Sequence, residues 1–301
     1  MTAPDGLALH VRSYGPRLAS ALPVVCLSGL GRTAADFHAL AAALTADPAK
    51  PRRVLALDYR GHGQSKYDRN PRNYNLPVAL ADLSAVLTAL KIAGAIFIGT
   101  SCGGLLAMML ATSRPAVIAG VILNDIGPVI ELEGWLRMKL RIKGFAGSYP
   151  MPRNFEEGAE ILHWLLHAQF PKLAPQDWIA FAQCTWRERD GRLVADYDPR
   201  LAQTLRGDEG PPGPLWDLFD ALARVPLMVI RGAKSDVLAS TTLNAMLEQR
   251  GELEVAVMPG QGHAPLLIEP GLIRRIAAFV GSCDRRASLW RPHCAGDLDV
   301  S

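Results

Sequence analysis

A chain of 301 residues that is 49% hydrophobic and 20% charged can bury a sizeable core, which excludes global disorder as its default state. Its net charge of +3 is too small to point to nucleic acid or a membrane surface, and no apolar run reaches the roughly 18 residues needed to span a bilayer. The first residues, MTAPDGLALHV, lack a basic start followed by an apolar stretch, so no signal peptide is expected. The 5 cysteines (Cys26, Cys102, Cys184, Cys283 and Cys294) are scattered and form no CxxC, which predicts reduced thiols in a cytoplasmic protein.

In chain order, LALHVRSYG (7–15) alternates and predicts an antiparallel edge strand. PVVCLS (23–28) and RVLALD (53–58) are continuous apolar runs, as expected of parallel strands covered on both faces, with a helix predicted over 34–46 between them. A helix over 78–91, a strand at 95–100, a helix over 103–113 and a strand at 119–125 follow. The rhythm stops between 127 and 222, where helical stretches (155–168, 175–188) and prolines replace it and no strand run stands out. GDEGPPGP (207–214) reads as the exit linker from this region. Strands at 225–232 and 253–260 and helices over 240–250 and 266–280 then restore the pattern. The expectation is an α/β fold: a mostly parallel sheet flanked by helices, with a helical insertion above it. Its boundaries are a core of 1–126 and 223–282, an insertion of 127–222 and a tail of 283–301.

The stretch FIGTSCGGLLAMML (97–110) ends an apolar strand at two glycines around Ser101 and resumes as a helix. At a strand-to-helix corner, Gly99 and Gly103 allow close backbone approach, and the helix start places N–H groups beside the serine hydroxyl. A serine becomes a nucleophile only when a base takes its proton. His263, in the glycine-rich loop VMPGQGHAP after the last strand, is the candidate base. Asp236 in VIRGAKSD, between Ser101 and His263 in sequence, is the preferred orienting acid, and Asp125 in LNDIGP, at another strand end, is its rival. His62 is read as a loop-packing residue. The N–H of Cys102 and that of Leu30, between Gly29 and Gly31, are the candidate oxyanion donors.

Taken together, GTSCGG, DYRGHGQS, GAKSD and GQGHAP resemble the motifs of the α/β-hydrolase superfamily, and the match covers nearly the whole chain. The sequence departs from many relatives at Ser28, where they carry His, and in carrying Cys102 beside the nucleophile. Ser101 stands where a dehalogenase or epoxide hydrolase of this fold needs Asp. The resemblance implies that 127–222 is a helical cap roofing the pocket. It also implies two-step acyl transfer on a small-molecule substrate by a monomer or homodimer, with no metal or cofactor and with neither nucleic acid nor membrane as partner.

The cap is rich in aromatic residues, among them Trp135 and Trp164, which predicts an apolar pocket and a small, mainly apolar ester or lactone as substrate. Within WLRMKLRIK (135–143), Arg137 and Arg141 share a helix face. An inward-pointing arginine there would instead favour an anionic ring-cleavage product or enol-lactone. A non-catalytic ligand-binding protein of the same fold is the alternative of another class. Three further patterns are weaker. GLGRTA (29–34) with Asp58 imitates a dinucleotide fingerprint but leaves Ser101, Asp236 and His263 unexplained. His163 and His167 lack the Glu of a zinc helix, and Cys283 with His293 and Cys294 matches no zinc spacing.

Overall fold

The computed structural model describes residues 1–149, 151–205 and 210–289. Its seven-stranded sheet is built from β1 (Val11–Tyr14), β2 (Val24–Leu27), β3 (Val54–Leu57), β4 (Ala95–Thr100), β5 (Ile118–Asn124), β8 (Leu227–Gly232) and β9 (Glu254–Met258), in the order β1-β3-β2-β4-β5-β8-β9. All pairings are parallel except β1 with β3, which makes β1 the antiparallel edge expected from its alternation.

The continuous apolar strands divide by period two between two cores. Val25, Leu27, Phe97, Val121, Leu123 and Val229 pack against α2 (Leu76–Ala89), α3 (Cys102–Ser113) and α8 (Ser240–Gln249). Val24, Cys26, Ile96, Ile98, Ile122 and Met228 pack against α1 (His38–Leu44) and α9 (Pro270–Leu289). Helix α9 runs past the expected start of a loose tail at residue 283, because Cys283 is buried with its sulfur against Gly120. His293 and Cys294 lie outside the described residues.

Between β5 and β8 the chain forms α4 (Leu132–Lys143), α5 (Phe155–Leu166), α6 (Pro175–Gln183) and α7 (Trp216–Asp220). It also forms a hairpin, β6 (Trp186–Arg189) with β7 (Arg192–Ala195), where only helix was expected through 188. The turn residues Asp190 and Gly191 both adopt positive φ, as a tight hairpin turn requires. The insertion has its own core, in which Phe145, Leu162, Phe170, Trp178, Trp186 and Tyr197 are buried. Of the expected exit linker, 210–214 forms neither helix nor strand, and 207–209 lie outside the described residues.

Two joints fix the insertion to the sheet's loops. Gly63 N–H donates to Asp196 O at 2.9 Å and Asp198 N–H to Gly61 O at 2.6 Å, while the Tyr74 hydroxyl donates to the Asp198 carboxylate. At the other end Glu131 N–H donates to Val237 O and Gly134 N–H to Asp236 O, both at 3.0 Å.

Backbone packs closely on backbone where α3 leaves β4. A Cβ added to Gly103 would sit 2.1 Å from Leu27 O, a backbone atom that cannot move aside. Gly103→Ala is therefore expected to cost at least about 2 kcal/mol, lowering Tm by at least about 3 °C for a chain of this size. A thermal melt that matches wild type would contradict this packing.

Candidate active site

Ser101 sits at the corner between β4 and α3 with φ 52° and ψ −120°, a conformation that turns its side chain out of the sheet. Its Oγ lies 2.9 Å from Nε2 of His263, which the loop after β9 delivers. On the other side of the imidazole, Nδ1 lies 2.8 Å from Oδ2 of Asp125, the residue that follows β5. A carboxylate only accepts, so Nδ1 carries the proton and Nε2 is left to accept from the serine hydroxyl. All three groups are buried, Asp125 completely.

The acid beside His263 is thus Asp125 and not Asp236, which corrects the expectation from sequence. The physical reason is Arg137. Its Nε lies 2.5 Å from Oδ2 of Asp236 and its Nη2 2.7 Å from Oδ1, a two-pronged pair that turns this carboxylate toward α4. Burial alone would raise the Asp236 pKa, but the Arg137 guanidinium outweighs it and holds the group below the usual carboxylate range. The Asp236 loop still serves the site through its neighbours. Ser235 Oγ–H donates to Asp125 Oδ2 at 2.6 Å and Gly232 N–H to Oδ1 at 2.7 Å. Asp125 therefore accepts three hydrogen bonds and is held rigidly.

Leu30 lines the same cavity as Ser101, and neither its N–H nor that of Cys102 donates to an acceptor among the described residues. The adjacent Gly31 N–H is engaged by Nε2 of His62 at 3.3 Å. His62 Nδ1 donates to Arg60 O, and burial lowers its pKa, so it is a neutral packing residue, as read from the sequence. The Cys102 thiol points at Ser28 O, 3.6 Å away, and burial pushes its pKa up to about 12, far from a reactive thiolate.

The cavity measures about 1200 Å³ including its mouth. Leu30, Phe37, Met138, Phe181 and Leu267 supply apolar wall, and Arg141 also lines it. The other cap candidates do not. Arg137 is held by Asp236, Trp135 packs against the sheet's core, and Trp164 is 72% exposed on the outer face of α5. Two contributors carry no sequence signal. Met138 places its sulfur 3.9 Å from Ser101 Oγ, and Gln169 Oε1 accepts the His263 N–H at 2.9 Å.

The dinucleotide-like motif is occupied by the chain itself. Asp58 accepts from the N–H groups of Ala34 and Gln64 and pairs with His10, while a Cβ at Gly31 would meet Ile142 of the insertion at 2.4 Å. His163 and His167 stack on each other, and among the described residues no group of three or more possible metal ligands occurs.

Residues 24–273 match the Alpha/beta hydrolase family. The chain belongs to that family. It is 37% identical to an alpha/beta hydrolase from Novosphingobium aromaticivorans, with a TM-score of 0.84 over 93% of this chain and 96% of that one. It is 29% identical over 259 residues to the 3-hydroxybutyrate-oligomer hydrolase of Cupriavidus necator, covering 83% of this chain and 85% of the relative. It is 27% identical over 232 residues to the 2-(acetamidomethylene)succinate hydrolase of Mesorhizobium japonicum, covering 75% and 78%. Membership of this family makes the fold that of the α/β-hydrolases and supports a hydrolase acting on a small molecule. No described helix is long and apolar enough to cross a membrane.

The geometry around His263 is testable without a substrate. The Nδ1 proton donated to a buried carboxylate gives a far-downfield proton resonance. It should be present in wild type and in Asp236→Asn and absent from Asp125→Ala. Its survival in Asp125→Ala would place the acid elsewhere.

Proposed function

We propose that this protein is a serine hydrolase of small carboxylic esters or lactones, working through an acyl-enzyme on Ser101. The observation that carries this reading is the unbroken buried series Ser101–His263–Asp125 at the wall of a largely apolar cavity, with two unengaged N–H groups beside the serine. Ser101 Oγ attacks the ester carbonyl while His263 Nε2 takes its proton. The negative oxygen of the tetrahedral intermediate is held by the N–H groups of Leu30 and Cys102. His263 then returns the proton to the leaving alkoxide, and the C–O bond breaks. Water, deprotonated by the same nitrogen, attacks the acyl-serine; the bond from the acyl carbon to Oγ then breaks, His263 returns the proton to Ser101 Oγ, and the acid is released. Asp125 fixes the tautomer and stabilises the imidazolium in both steps.

The relative from Cupriavidus necator supports an ester as the bond, since an oligomer of 3-hydroxybutyrate is joined by ester links. The apolar wall supports a short aliphatic acyl group. Absence of any requirement for a metal or cofactor follows from this mechanism. A soluble, cytoplasmic protein acting as a monomer or homodimer is consistent with the same reading.

The test is kcat/KM for p-nitrophenyl butyrate. Ser101→Ala should lose about 10⁴–10⁶-fold and Asp125→Asn about 10⁴-fold, because the amide favours the wrong imidazole tautomer. Asp236→Asn, one bond system removed from the imidazole, should lose less than about tenfold, or 1.4 kcal/mol of barrier. Equal losses in the two Asp variants, or a larger one in Asp236→Asn, would refute the assignment.

A further inference from the structure

The cavity beside Ser101 contains two arginines in unlike states. Arg32 is fully engaged: Nε lies 2.8 Å from Asp36 Oδ2, Nη2 is bonded to Oδ1, and Nη1 lies 2.6 Å from the Thr185 hydroxyl. Its charge is matched by Asp36. Arg141, reaching down from α4, has neither a hydrogen bond nor an ion pair among the described residues. The charges that act on it most are those of Arg137 and Arg32, which oppose its own. Burial is the largest cause of its lowered pKa, down to about 10, which leaves it cationic at neutral pH; the carboxylate that acts on it, Asp36, is already paired with Arg32.

A half-buried guanidinium with no protein acceptor among the described residues gives up part of its hydration without a compensating bond, and proteins ordinarily pair such a group. Tolerating one here has a natural use if the partner arrives with the substrate. Asp177 is the cavity's other unpaired charge. It lies in the first turn of α6, where the helix's own N–H groups favour a carboxylate, and it is not among the charges that act most on Arg141.

We propose that Arg141 is a specificity-determining residue that binds a carboxylate carried by the substrate, so that the favoured ester is one bearing a free carboxylate a few carbons from the scissile bond. This rests on the ester-hydrolase reading above and deepens it. The planar guanidinium suits a carboxylate two-pronged, and the apolar wall of the cavity that Arg141 and Ser101 both line suits the short aliphatic spacer. An ester of a hydroxy acid with its acid end free has this shape. So does a half-ester of a dicarboxylic acid. The first carries the charge on the leaving side and the second on the acyl side.

The experiment measures kcat/KM on two matched pairs, after subtracting the enzyme-free rate. Mono-p-nitrophenyl glutarate against its methyl ester tests a carboxylate on the acyl side. 4-Carboxyphenyl butyrate against 4-(methoxycarbonyl)phenyl butyrate tests the leaving side. Wild type should prefer the anionic member of at least one pair by about ten- to a hundredfold, the worth of a charged hydrogen-bonded contact. Arg141→Gln should bring that ratio to about one, and Arg141→Lys should keep part of it. A ratio near one for both pairs in wild type, or one that survives in Arg141→Gln, overturns the inference. Labelling of Ser101 by diethyl p-nitrophenyl phosphate, read by mass spectrometry, separates the two failures. Labelling with hydrolysis of the neutral esters but no anion preference leaves the ester-hydrolase reading standing and removes only the role of Arg141. Absence of both labelling and turnover overturns the two together.

Discussion

One carboxylate organises this site. Asp125 leaves the sheet at the end of β5 and is bonded at once to the end of β8 through Gly232, to the following loop through Ser235, and to the imidazole of His263. These groups all lie more than a hundred residues beyond Asp125 in sequence. Their meeting depends on the parallel register of β5 with β8, which sets Asn124 beside Ile230 so that the next residues converge. With no exposure to water, the carboxylate interacts with its partners in a low-dielectric setting, where each hydrogen bond is stronger and the loss of one is costly. The imidazole is thereby held with one nitrogen protonated and the other turned to Ser101. Asn124 adds to this by donating to Pro265 O at 3.0 Å, which steadies the loop that carries His263.

The insertion belongs to the same construction. Arg137 removes Asp236 from competition for the imidazole, Gln169 bonds the backbone of His263, and Met138 lies over the serine. A Cβ at Gly262 would sit 1.8 Å from Gln169 Oε1, so this loop and the insertion are fitted to each other without slack. The same helix that contributes Arg137 contributes Arg141, one turn further on. One arginine is neutralised by the core, the other is left facing the cavity. Roof and base therefore act as one unit: the insertion that lines the cavity also sets which carboxylate meets His263.

Much of this was legible in the sequence because the relevant signals are local. Continuous apolar runs marked the parallel strands, and glycines at 99 and 103 marked a corner that only glycine can pack, as the 2.1 Å approach to Leu27 O demonstrates. Ser101 and His263 followed from their place on such corners. The acid did not, because β5 and β8 are adjacent strands and each is followed by an aspartate, Asp125 directly after β5 and Asp236 in the loop after β8. Choosing between them needs the position of Arg137, which comes from an insertion whose path over the sheet leaves no periodic trace. The same ambiguity separated Arg141 from Arg137, since a shared helix face says nothing of which one meets an acid. The β6–β7 hairpin was missed because its strands (WRER, RLVA) are only four residues long and neither alternates charged with apolar residues, so nothing stands out beside the preceding helix.

The central claim is that Ser101, His263 and Asp125 act as one relay with Leu30 and Cys102 as donors. The most direct measurement is a crystal structure of the protein after reaction with diethyl p-nitrophenyl phosphate. The account predicts phosphorus bonded to Ser101 Oγ, the phosphoryl oxygen within hydrogen-bonding distance of the Leu30 and Cys102 N–H groups, and His263 Nδ1 still on Asp125. Phosphorus on another residue, a phosphoryl oxygen turned away from both N–H groups, or His263 rotated onto Asp236 would contradict it.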